Sequence, residues 1–506
     1  GVTGSGKTLV YMELIDRVLA EGRQVIVLIP EISLTWQTVL RFVKRFGSGV
    51  SFMHSRLTYG ERYDQMKTAS RGEVRIMVGP RSALFTPFPN LGLVIIDEEH
   101  EESYHSETVP RFHARETAIE RARLEGAHVV LGSATPSVNS YFEMKQGHYK
   151  GVFLPERFGS QSLAETKIID MREEIKAGNR SMFSEELQRE MKTRLDKKEQ
   201  IMLFLNRRGY SGSVTCRSCG TVMKCPHCDV ALTLHGKKSL VCHYCGYETP
   251  AVRKCPDCGS PYIGGMSIGT EQLEEKVREL FPGAGVLRMD GDTTRGKDGH
   301  RKILTEFSSG DADILIGTQM IVKGHDFPHV TLVGVILADL SLNASDYTSA
   351  ERTYQLLTQA AGRAGRGEKA GLALIQTYRP DHYSITTAAA QDYNQFYSFE
   401  IAYRTLLRYP PAAGMTAVLG SSENEELLHT AMTYLRKYID RIDRSGRMMT
   451  VGPAPQSVSK IRDRYRDVIY FRSESEDNLI LLKDRLEKYI AINPGFQDVQ
   501  IQFDRI

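Results

Sequence analysis

The chain has 506 residues, of which 41% are hydrophobic and 25% charged, and its formal net charge is +3. This length provides for several domains with buried cores, and the composition is that of an ordinary soluble globular protein. The small net charge excludes a globally basic nucleic-acid coat, and no apolar run approaches the about 20 residues that cross a bilayer, so we expect no membrane contact.

A phosphate-binding loop opens the sequence. Its pattern is G-x-x-x-x-G-K-T, formed by Gly1, Val2, Thr3, Gly4, Ser5, Gly6, Lys7 and Thr8. The glycines let backbone N–H groups approach phosphate oxygens, Lys7 is placed to reach the β- and γ-phosphates, and the Thr8 hydroxyl is placed to hold Mg²⁺. A helix from Thr8 to about Ala20 should point its N-terminus at the same anion. The alternative is a glycine-rich turn ahead of a helix.

Short apolar strands then alternate with amphipathic helices. Strands are predicted at Val25–Pro30, Val50–His54, Arg75–Gly79, Leu93–Asp97 and His128–Gly132, and helices at Leu34–Phe46, Tyr59–Ser70 and Arg115–Glu125. This alternation predicts a parallel sheet covered on both faces, whose ligands bind beyond the carboxyl ends of the strands.

Polar residues follow two of these strands. Asp97 and Glu98 emerge from a fully apolar run, where a buried carboxylate without a partner is costly. Mg²⁺ held near Thr8 would supply a partner for Asp97, and Glu98 would accept a proton from the attacking water. The segment 132–136, with small hydroxyl residues, follows the next strand and can sense the phosphate site. The alternatives are an acidic surface patch and a plain turn ended by Pro136.

A second α/β unit starts near Met182. Its predicted strands are Ile201–Asn206, Met266–Gly269, Gly285–Asp290, Ala312–Gly317, Leu332–Ala338 and Gly371–Thr377. Later in this unit Gln359, Arg363 and Arg366 share one helical face, with spacings of i, i+4 and i+7. Such a face can present a guanidinium to a γ-phosphate bound on the first unit, as an arginine finger in cis. The alternative is a solvated basic helix end.

All eight cysteines fall in four C-x-x-C pairs between Asn206 and Gly269. Each pair followed by a turn residue can form a knuckle that offers two thiolates, and two knuckles complete a Cys₄ Zn²⁺ site. Three pairings of the knuckles are possible, and linker length favours nesting. We therefore expect an inner site of Cys225, Cys228, Cys242 and Cys245 and an outer site of Cys216, Cys219, Cys255 and Cys258. His227, His235 and His243 are expected to be bystanders.

The pattern of predicted strands and helices changes near Ala390. A break at 409–414 precedes a strand at Ala417–Ser421, a helix at Asn424–Ser445, a strand at Val468–Arg472 and a helix at Ser475–Ile490. This order predicts two helices over a small antiparallel sheet. Such a domain can contact nucleic acid, or it can have only a packing role. We expect four parts: lobe 1 at 1–175, lobe 2 at 176–390, a zinc insertion at 213–263 within it, and a C-terminal α+β domain at 391–506.

Together these features resemble the PriA (primosomal protein N′) family of superfamily 2 replication-restart DNA helicases, over essentially the whole chain. The segments that carry the resemblance are GVTGSGKT at Gly1, PEISLTWQ at Pro30, GPRSALF at Gly79, DEEH at Asp97, GSATPS at Gly132, LNRRGY at Leu205, GTE at Gly269, GTQMIVKGHDFP at Gly317 and QAAGRAGR at Gln359. The cysteine block between the LNRRGY and GTE segments is especially specific. The family resemblance, and the lack of an apolar strand before Gly1, lead us to expect that the sequence is an N-terminally truncated part of a longer chain.

The resemblance implies an α/β fold with two RecA-like lobes and an ATP-driven 3′→5′ DNA helicase of the cytoplasm that recognises stalled forks and initiates primosome assembly. The implied cofactors are ATP, Mg²⁺ and two Zn²⁺. The implied partners are forked and single-stranded DNA, primosome proteins with the helicase loader, and single-stranded DNA-binding protein.

The same resemblance assigns roles to individual residues. It places ATP on Gly1 to Thr8, Mg²⁺ on Asp97, the catalytic base at Glu98, and Gln359, Arg363 and Arg366 on the γ-phosphate. Candidates for DNA backbone contacts are Arg81, Asn206, Arg207, Arg208, Thr318 and Lys323. The loop from Ser103 to Arg115 resembles an aromatic-rich loop that couples DNA to ATP hydrolysis, with rings that can stack on bases. The rival hypotheses are a DNA-structure binding platform, in which hydrolysis matters little, and a double-strand translocase that does not unwind.

Overall fold

The computed structural model of the protein describes residues 2–506 apart from 3, 31–35, 56, 107, 158–163, 206–212, 236–238, 266–268, 292, 295–298, 323–326, 345, 368 and 444–447. The side chains of residues 36, 37, 235 and 265 also lie outside the description. Six expected site residues therefore fall outside the described residues, namely Gly1, Thr3, Asn206, Arg207, Arg208 and Lys323.

The first lobe is a parallel sheet with strand order β2-β3-β1-β4-β5. Its strands are β1 (Gln24–Leu28), β2 (Val50–Phe52), β3 (Ile76–Gly79), β4 (Leu91–Asp97) and β5 (His128–Gly132). Its helices are α1 (Lys7–Ala20), α2 (Trp36–Phe46), α3 (Tyr59–Ser70), α4 (Ala114–Glu125) and α5 (Val138–Lys145). The strands and helices predicted for this lobe agree with these elements to within a few residues at their ends, where residues are described.

Alternating side chains of the central strands explain why helices cover both faces. Val25 and Val27 of β1 pack with residues of α1 and α2, whereas Ile26 and Leu28 pack with residues of α4. Successive side chains of a strand point to opposite faces, so an uninterrupted apolar run produces two buried faces. The site residues that follow these strands therefore lie at one rim of a rigid sheet.

The second lobe begins with two strands and is then interrupted by the cysteine-rich segment. The first elements are β6 (Glu165–Asp170), α6 (Met171–Lys176), α7 (Glu185–Asp196) and β7 (Gln200–Leu205). The interrupting segment contains short antiparallel strands, β8 (Val214–Cys216), β9 (Thr233–His235), β10 (Ser239–Val241), β11 (Glu248–Pro250) and β12 (Ile263–Gly265). Such a segment has little apolar core of its own, which fits stabilisation by bound metal.

The chain then completes a second parallel sheet with strand order β13-β14-β7-β15-β16-β6. The remaining strands are β13 (Val286–Met289), β14 (Ile314–Gly317), β15 (Val330–Ile336) and β16 (Leu372–Thr377). The helices are α8 (Thr270–Leu280), α9 (Gly299–Ser308), α10 (Gln319–Val322), α11 (Asp339–Leu342), α12 (Ser349–Ala361), α13 (Tyr383–Ala389) and α14 (Tyr393–Leu407). Most of the predicted strand Met266–Gly269 lies outside the described residues, and Gly269 itself is the N-cap residue of α8.

The C-terminal domain is an antiparallel sheet with two long helices, as predicted. The sheet order is β18-β19-β17-β20, formed by β17 (Gly414–Ser422), β18 (Met449–Ile461), β19 (Arg464–Ser473) and β20 (Gln500–Arg505). The helices are α15 (Glu425–Ile442) and α16 (Glu476–Ile492), which pack on the sheet through residues such as Leu435 and Leu482. Among the described residues of the whole chain, every helix is too short or too polar to span a lipid bilayer.

Two elements pack with a part of the protein that lies across a predicted domain boundary. Strand β6 lies before residue 176, yet it pairs with β16 at the edge of the second sheet. Only Ile169 in this strand is buried, so the edge strand lacks the apolar run that would have indicated it. Helix α14 begins at Tyr393, yet Phe396 belongs to the core of the lobes, where its ring stacks on Tyr354 with centroids 4.2 Å apart.

A buried ionic cluster joins α12 to both lobes. Glu351 of α12 accepts a hydrogen bond from the Val138 N–H of the first lobe at 2.8 Å and one from Arg404 at 2.5 Å. Arg404 also donates to Glu400 at 2.7 Å and to the Pro410 carbonyl at 2.9 Å, and its side chain is 1% exposed. These paired charges fix the start of α12, whose opposite end carries Gln359.

We predict that Arg404→Leu lowers the free energy of unfolding by about 3–5 kcal/mol, because Glu351 and Glu400 would be left as buried, unpaired charges. The matched control is Arg278→Leu, which breaks an ion pair with Glu274 in which the arginine side chain is 52% exposed. That change should cost about 0–1 kcal/mol. Denaturant unfolding followed by fluorescence measures both variants, and equally small effects would show that the cluster contributes no more than a surface pair.

Candidate functional site

The phosphate loop has the backbone geometry that its glycines allow. Gly4 and Gly6 have φ angles of +82° and +83°, and the Ser5 N–H donates to the Val2 carbonyl at 3.1 Å. Gly6 is the N-cap residue of α1, so the first amides of that helix face away from the helix body. A turn of this kind followed by a helix N-terminus is a favourable environment for phosphate oxygens.

Asp97 lies at the carboxyl end of β4, next to the start of α1. Its Oδ1 accepts a hydrogen bond from the Tyr11 hydroxyl at 2.9 Å, and its backbone carbonyl accepts one from Tyr104 at 2.7 Å. Burial and the neighbouring Glu98 carboxylate raise the pKa of Asp97 to about 6. Two adjacent carboxylates with this electrostatic strain fit a divalent cation, which would relieve it.

His100 connects this strand end to a second strand and to the other lobe. The Gln359 amide nitrogen lies 2.8 Å from His100 Nε2, and Ser133 Oγ lies 2.7 Å from His100 Nδ1. Both ring nitrogens of His100 are therefore within hydrogen-bond distance of a polar partner, Gln359 on one side and Ser133 on the other. The His100 side chain is 3% exposed, and its Nδ1 lies 3.7 Å from Glu98 Oε2. The structure thus brings Glu98, Ser133 and Gln359 together around one imidazole.

Glu98 and Glu99 differ in their surroundings. Glu98 has a positive φ of 48°, a backbone strain that is often found at functional sites. Glu99 is buried and accepts hydrogen bonds from the Ser137 N–H at 2.6 Å and from Ser140 Oγ at 2.8 Å. Glu99 therefore fastens β4 to the start of α5 and has a structural part in the site.

The predicted helical face shared by Gln359, Arg363 and Arg366 is wrong, because α12 ends at Ala361 and both arginines lie just past its end. Arg363 donates to the Val322 carbonyl at 2.7 Å, and Arg366 donates to the Gly362 carbonyl at 3.0 Å. The Gly362 carbonyl also accepts a bond from Arg157 at 3.4 Å. The Cγ atom of Arg157 would lie 3.9 Å from a Cβ placed on Gly4, so the end of α12 is beside the phosphate loop.

The sequence motifs described above do not include Tyr11 and Arg157, which lie beside the predicted site residues. Tyr11 lies one helical turn after Lys7, and this i, i+4 spacing on α1 is a signal that would have identified it. Arg157 lies in the irregular segment between α5 and β6, where no periodicity marks a residue as buried.

The loop after β4 docks on the C-terminal domain. Arg111 and His105 contact the two carboxylate oxygens of Asp504 in β20 at 2.5 and 3.1 Å, respectively. Arg81 donates to the Ser103 and His105 carbonyls and so holds the same loop. Stacking of Tyr104 on bases is contradicted, because this side chain is 1% exposed and lies beneath Asp97. The DNA contacts predicted for Arg81 and Thr318 stay predictions.

The cysteines form the predicted nested groups. Within the described residues, potential metal ligands cluster as Cys216, Cys219, Cys255 and Cys258 and as Cys225, Cys228, Cys242 and Cys245. Sulfur–sulfur distances of 3.5–3.7 Å within these groups match the about 3.8 Å expected around a tetrahedral Zn²⁺. The Cys228 thiol donates to Cys242, which lowers the pKa of Cys242 to about 5 and raises that of Cys228.

Each knuckle repeats the same backbone turn. The residue after the second cysteine donates its N–H to the carbonyl of the first cysteine at 2.8–3.0 Å in all four knuckles, and its φ is positive. These residues are Gly220, Asp229, Gly246 and Gly259. The expected bystander His243 contacts the Pro455 carbonyl at 3.0 Å and so links the insertion to the C-terminal domain. The His235 side chain lies outside the described residues.

The protein has two lobes, each built on a parallel sheet. The first lobe carries the phosphate loop, and α12 of the second lobe is hydrogen-bonded to the first lobe through Gln359. This arrangement is the helicase fold. Family models agree with this class. They match "DEAD/DEAH box helicase" at residues 1–143 and "Helicase conserved C-terminal domain" at residues 266–368. Two others match "PriA DNA helicase Cys-rich region (CRR) domain" at 225–250 and "Primosomal protein N C-terminal domain" at 405–506.

The chain belongs to the PriA family. It is 49% identical over 493 residues to the replication restart protein PriA of Bacillus subtilis, covering 97% of this chain and 61% of that protein. Identity to the protein of the same name in Synechocystis sp. is 42%, covering 99% of this chain and 61% of that protein. For Rickettsia felis the identity is 37%, with coverage of 95% and 74%. The chain thus spans about 61% of the length of the first two relatives.

Because Gly132 has no side chain, the Tyr11 hydroxyl can pass next to it and reach Asp97. A Cβ at Gly132 would lie 1.6 Å from the Tyr11 hydroxyl. We expect Gly132→Ala to displace Tyr11 and lower the free energy of unfolding by about 1–3 kcal/mol. Gly60→Ala in α3 is the matched control, because the added Cβ meets open space and a helical alanine is favoured. Thermal unfolding of both variants measures this, and an unchanged midpoint for Gly132→Ala would contradict the packing described here.

Proposed function

We propose that the chain is the motor part of an ATP-dependent 3′→5′ DNA helicase of the cytoplasm, which recognises stalled or abandoned replication forks and initiates primosome assembly. The observation that carries the proposal is the hydrogen-bonded chain Gln359–His100–Ser133, which crosses from one lobe to the other beside Asp97 and Glu98. Such a link lets the state of the nucleotide site change the relative position of the lobes. The names of the relatives support the replication-restart context.

In this proposal the nucleotide lies between the phosphate loop and the end of α12. Gly1 to Thr8 hold the phosphates, with Lys7 on the β- and γ-phosphates. Arg363 and Arg366 leave their carbonyl partners for the γ-phosphate, because a charged acceptor forms a stronger bond with guanidinium than a carbonyl does. Gln359 is linked to the same phosphate site through its hydrogen bond with His100. This arrangement fits hydrolysis by lobe closure.

The acidic residues at the end of β4 supply the rest of the chemistry. Mg²⁺, held by Asp97 and Thr8, would neutralise the developing phosphate charge. Glu98 would accept the proton of the attacking water, since it follows Asp97 directly and faces His100. When phosphate leaves, the attraction for the arginines is lost, and the lobes reopen by one step along a DNA strand.

The proposal of DNA and protein partners starts from the contact between the loop after β4 and β20. The loop that docks on β20 joins Asp97 to the C-terminal domain, so a strand bound there would be sensed at the nucleotide site. Forked and single-stranded DNA are the proposed substrates. Primosome proteins, the helicase loader and single-stranded DNA-binding protein are the proposed partners, in keeping with the family.

We also propose that each cysteine group binds one Zn²⁺, which makes two ions per chain. The insertion lies between α11 and the C-terminal domain, since Asn343 bonds to Thr215 at 2.9 Å and His243 contacts Pro455. Bound metal would therefore stabilise a junction between three parts of the protein.

Zinc content tests the nested pairing directly. After dialysis against a mild chelator, we expect about two Zn²⁺ for the parent chain and about one for Cys225→Ser, measured by atomic emission. Adding Cys242→Ser, in the same group, should remove nothing more, whereas adding Cys255→Ser should remove the second ion. His227→Ala, which changes an exposed bystander, is the control and should keep both ions. Loss of both ions in the Cys225/Cys242 double variant would contradict the pairing.

Lys7→Ala tests the motor. We expect it to abolish DNA-stimulated ATP hydrolysis and strand displacement while leaving binding to forked DNA nearly unchanged, because Lys7 serves the phosphates and not the DNA. Lys44→Ala, on the exposed side of α2, is the control and should keep all three activities. Duplexes with 3′ or 5′ tails separate the proposed polarity from its reverse.

Three outcomes would contradict the proposal. Unwinding by Lys7→Ala would show that this loop does not drive the motor. Hydrolysis by the parent chain that DNA does not stimulate would favour a DNA-binding platform, and stimulated hydrolysis without strand displacement on either tail would favour a double-strand translocase.

A further inference from the structure

Arg157 lies in the segment that connects the two lobes, between α5 and β6. The segment runs beside the phosphate loop, because the Val2 N–H donates to the Leu154 carbonyl at 3.0 Å. Arg157 is 8% exposed, and its stem lies next to Gly4, where an added Cβ would be in ordinary contact with its Cγ at 3.9 Å. The apolar stem of Arg157 is thus buried against a loop built for an anion, and its charged end extends beyond that loop.

The other end of the Arg157 side chain reaches the second lobe. Its Nη2 donates to the Gly362 carbonyl at 3.4 Å, and the same carbonyl accepts from Arg366 Nε at 3.0 Å. Gly362 is the residue that ends α12. Two guanidinium groups from different parts of the chain therefore converge on one neutral oxygen, beside a phosphate loop.

Both guanidinium groups thus have a neutral carbonyl oxygen among their partners. A neutral acceptor at 3.4 Å forms a long bond, whereas a phosphate oxygen forms a shorter, charge-assisted bond with guanidinium that is roughly twice as strong. Arg157 is also close to the turn just past α12 whose arginines are proposed to act on the terminal phosphate. A ligand with a third phosphate would bring anionic oxygens between Gly4 and Gly362.

We propose that Arg157 is a third phosphate-binding arginine of the nucleotide site, which exchanges the Gly362 carbonyl for the terminal phosphate of a bound nucleoside triphosphate. The inference rests on the proposed binding of ATP by the phosphate loop. Under this proposal the segment that connects the two lobes contributes directly to the preference for a nucleoside triphosphate over a diphosphate.

The test compares ATP and ADP affinities of the full 506-residue chain, using fluorescent analogues with Mg²⁺ and titration without turnover. Arg157→Met keeps the apolar stem beside Gly4 and removes the charge. We expect it to weaken ATP binding by about tenfold and to leave ADP binding nearly unchanged, because one charge-assisted bond is lost. Arg157→Lys keeps a positive charge and should retain an ATP preference between those of the parent and Arg157→Met. Arg123→Met, at an exposed position of α4, is the control and should match the parent.

The outcomes separate this inference from the function on which it rests. If the parent and Arg157→Met show the same ratio of ATP to ADP affinity while Lys7→Ala loses nucleotide binding, the role of Arg157 is overturned and the phosphate loop stands. Equal weakening of ATP and ADP would also overturn it, since that is the effect of a merely structural residue. If Arg157→Met does not fold, Arg157→Lys decides: a parent-like thermal midpoint with a reduced ATP preference supports the proposal, and an unchanged preference overturns it. If the parent binds neither nucleotide, both proposals fail.

Discussion

The imidazole of His100 joins the two lobes by hydrogen bonds to Gln359 and Ser133, and the rest of the site depends on this link. Its ring is almost fully buried, so water does not compete for either nitrogen. Because the two ring nitrogens of a neutral imidazole are one donor and one acceptor, the contacts with Gln359 and Ser133 depend on each other. His100 follows Asp97 and Glu98 in the same turn, so the hydrogen bonds that join the lobes lie next to these carboxylates.

Helix α12 is the element that makes this link rigid. Its first turn is held by Glu351, which bonds to Val138 of the first lobe and to the buried Arg404, and its last turn carries Gln359. A helix fixed at both ends moves as a body, so arginines just beyond it follow any rotation of the second lobe. The connecting segment with Arg157 lies against the same helix end, and β20 contacts the loop that follows β4.

Much of this could be predicted from the sequence, and the exceptions have a physical cause. The strand before Asp97 was predictable because a buried parallel strand needs an unbroken apolar run, and the cysteine pairing because the gap between Cys228 and Cys242 has room for the hairpin of β9 and β10. Strand β6 was missed because an edge strand buries little. The burial of Tyr104 depends on tertiary packing, which no local pattern encodes.

A structure of the chain with a non-hydrolysable ATP analogue and Mg²⁺ tests the central claim most directly, namely that one triphosphate is held by both lobes. We expect its terminal phosphate to contact Lys7 on one side and a guanidinium from just past the end of α12 on the other, while His100 keeps its bond to Gln359. An analogue bound to the first lobe alone, with Arg363 and Arg366 still on the Val322 and Gly362 carbonyls, would contradict it.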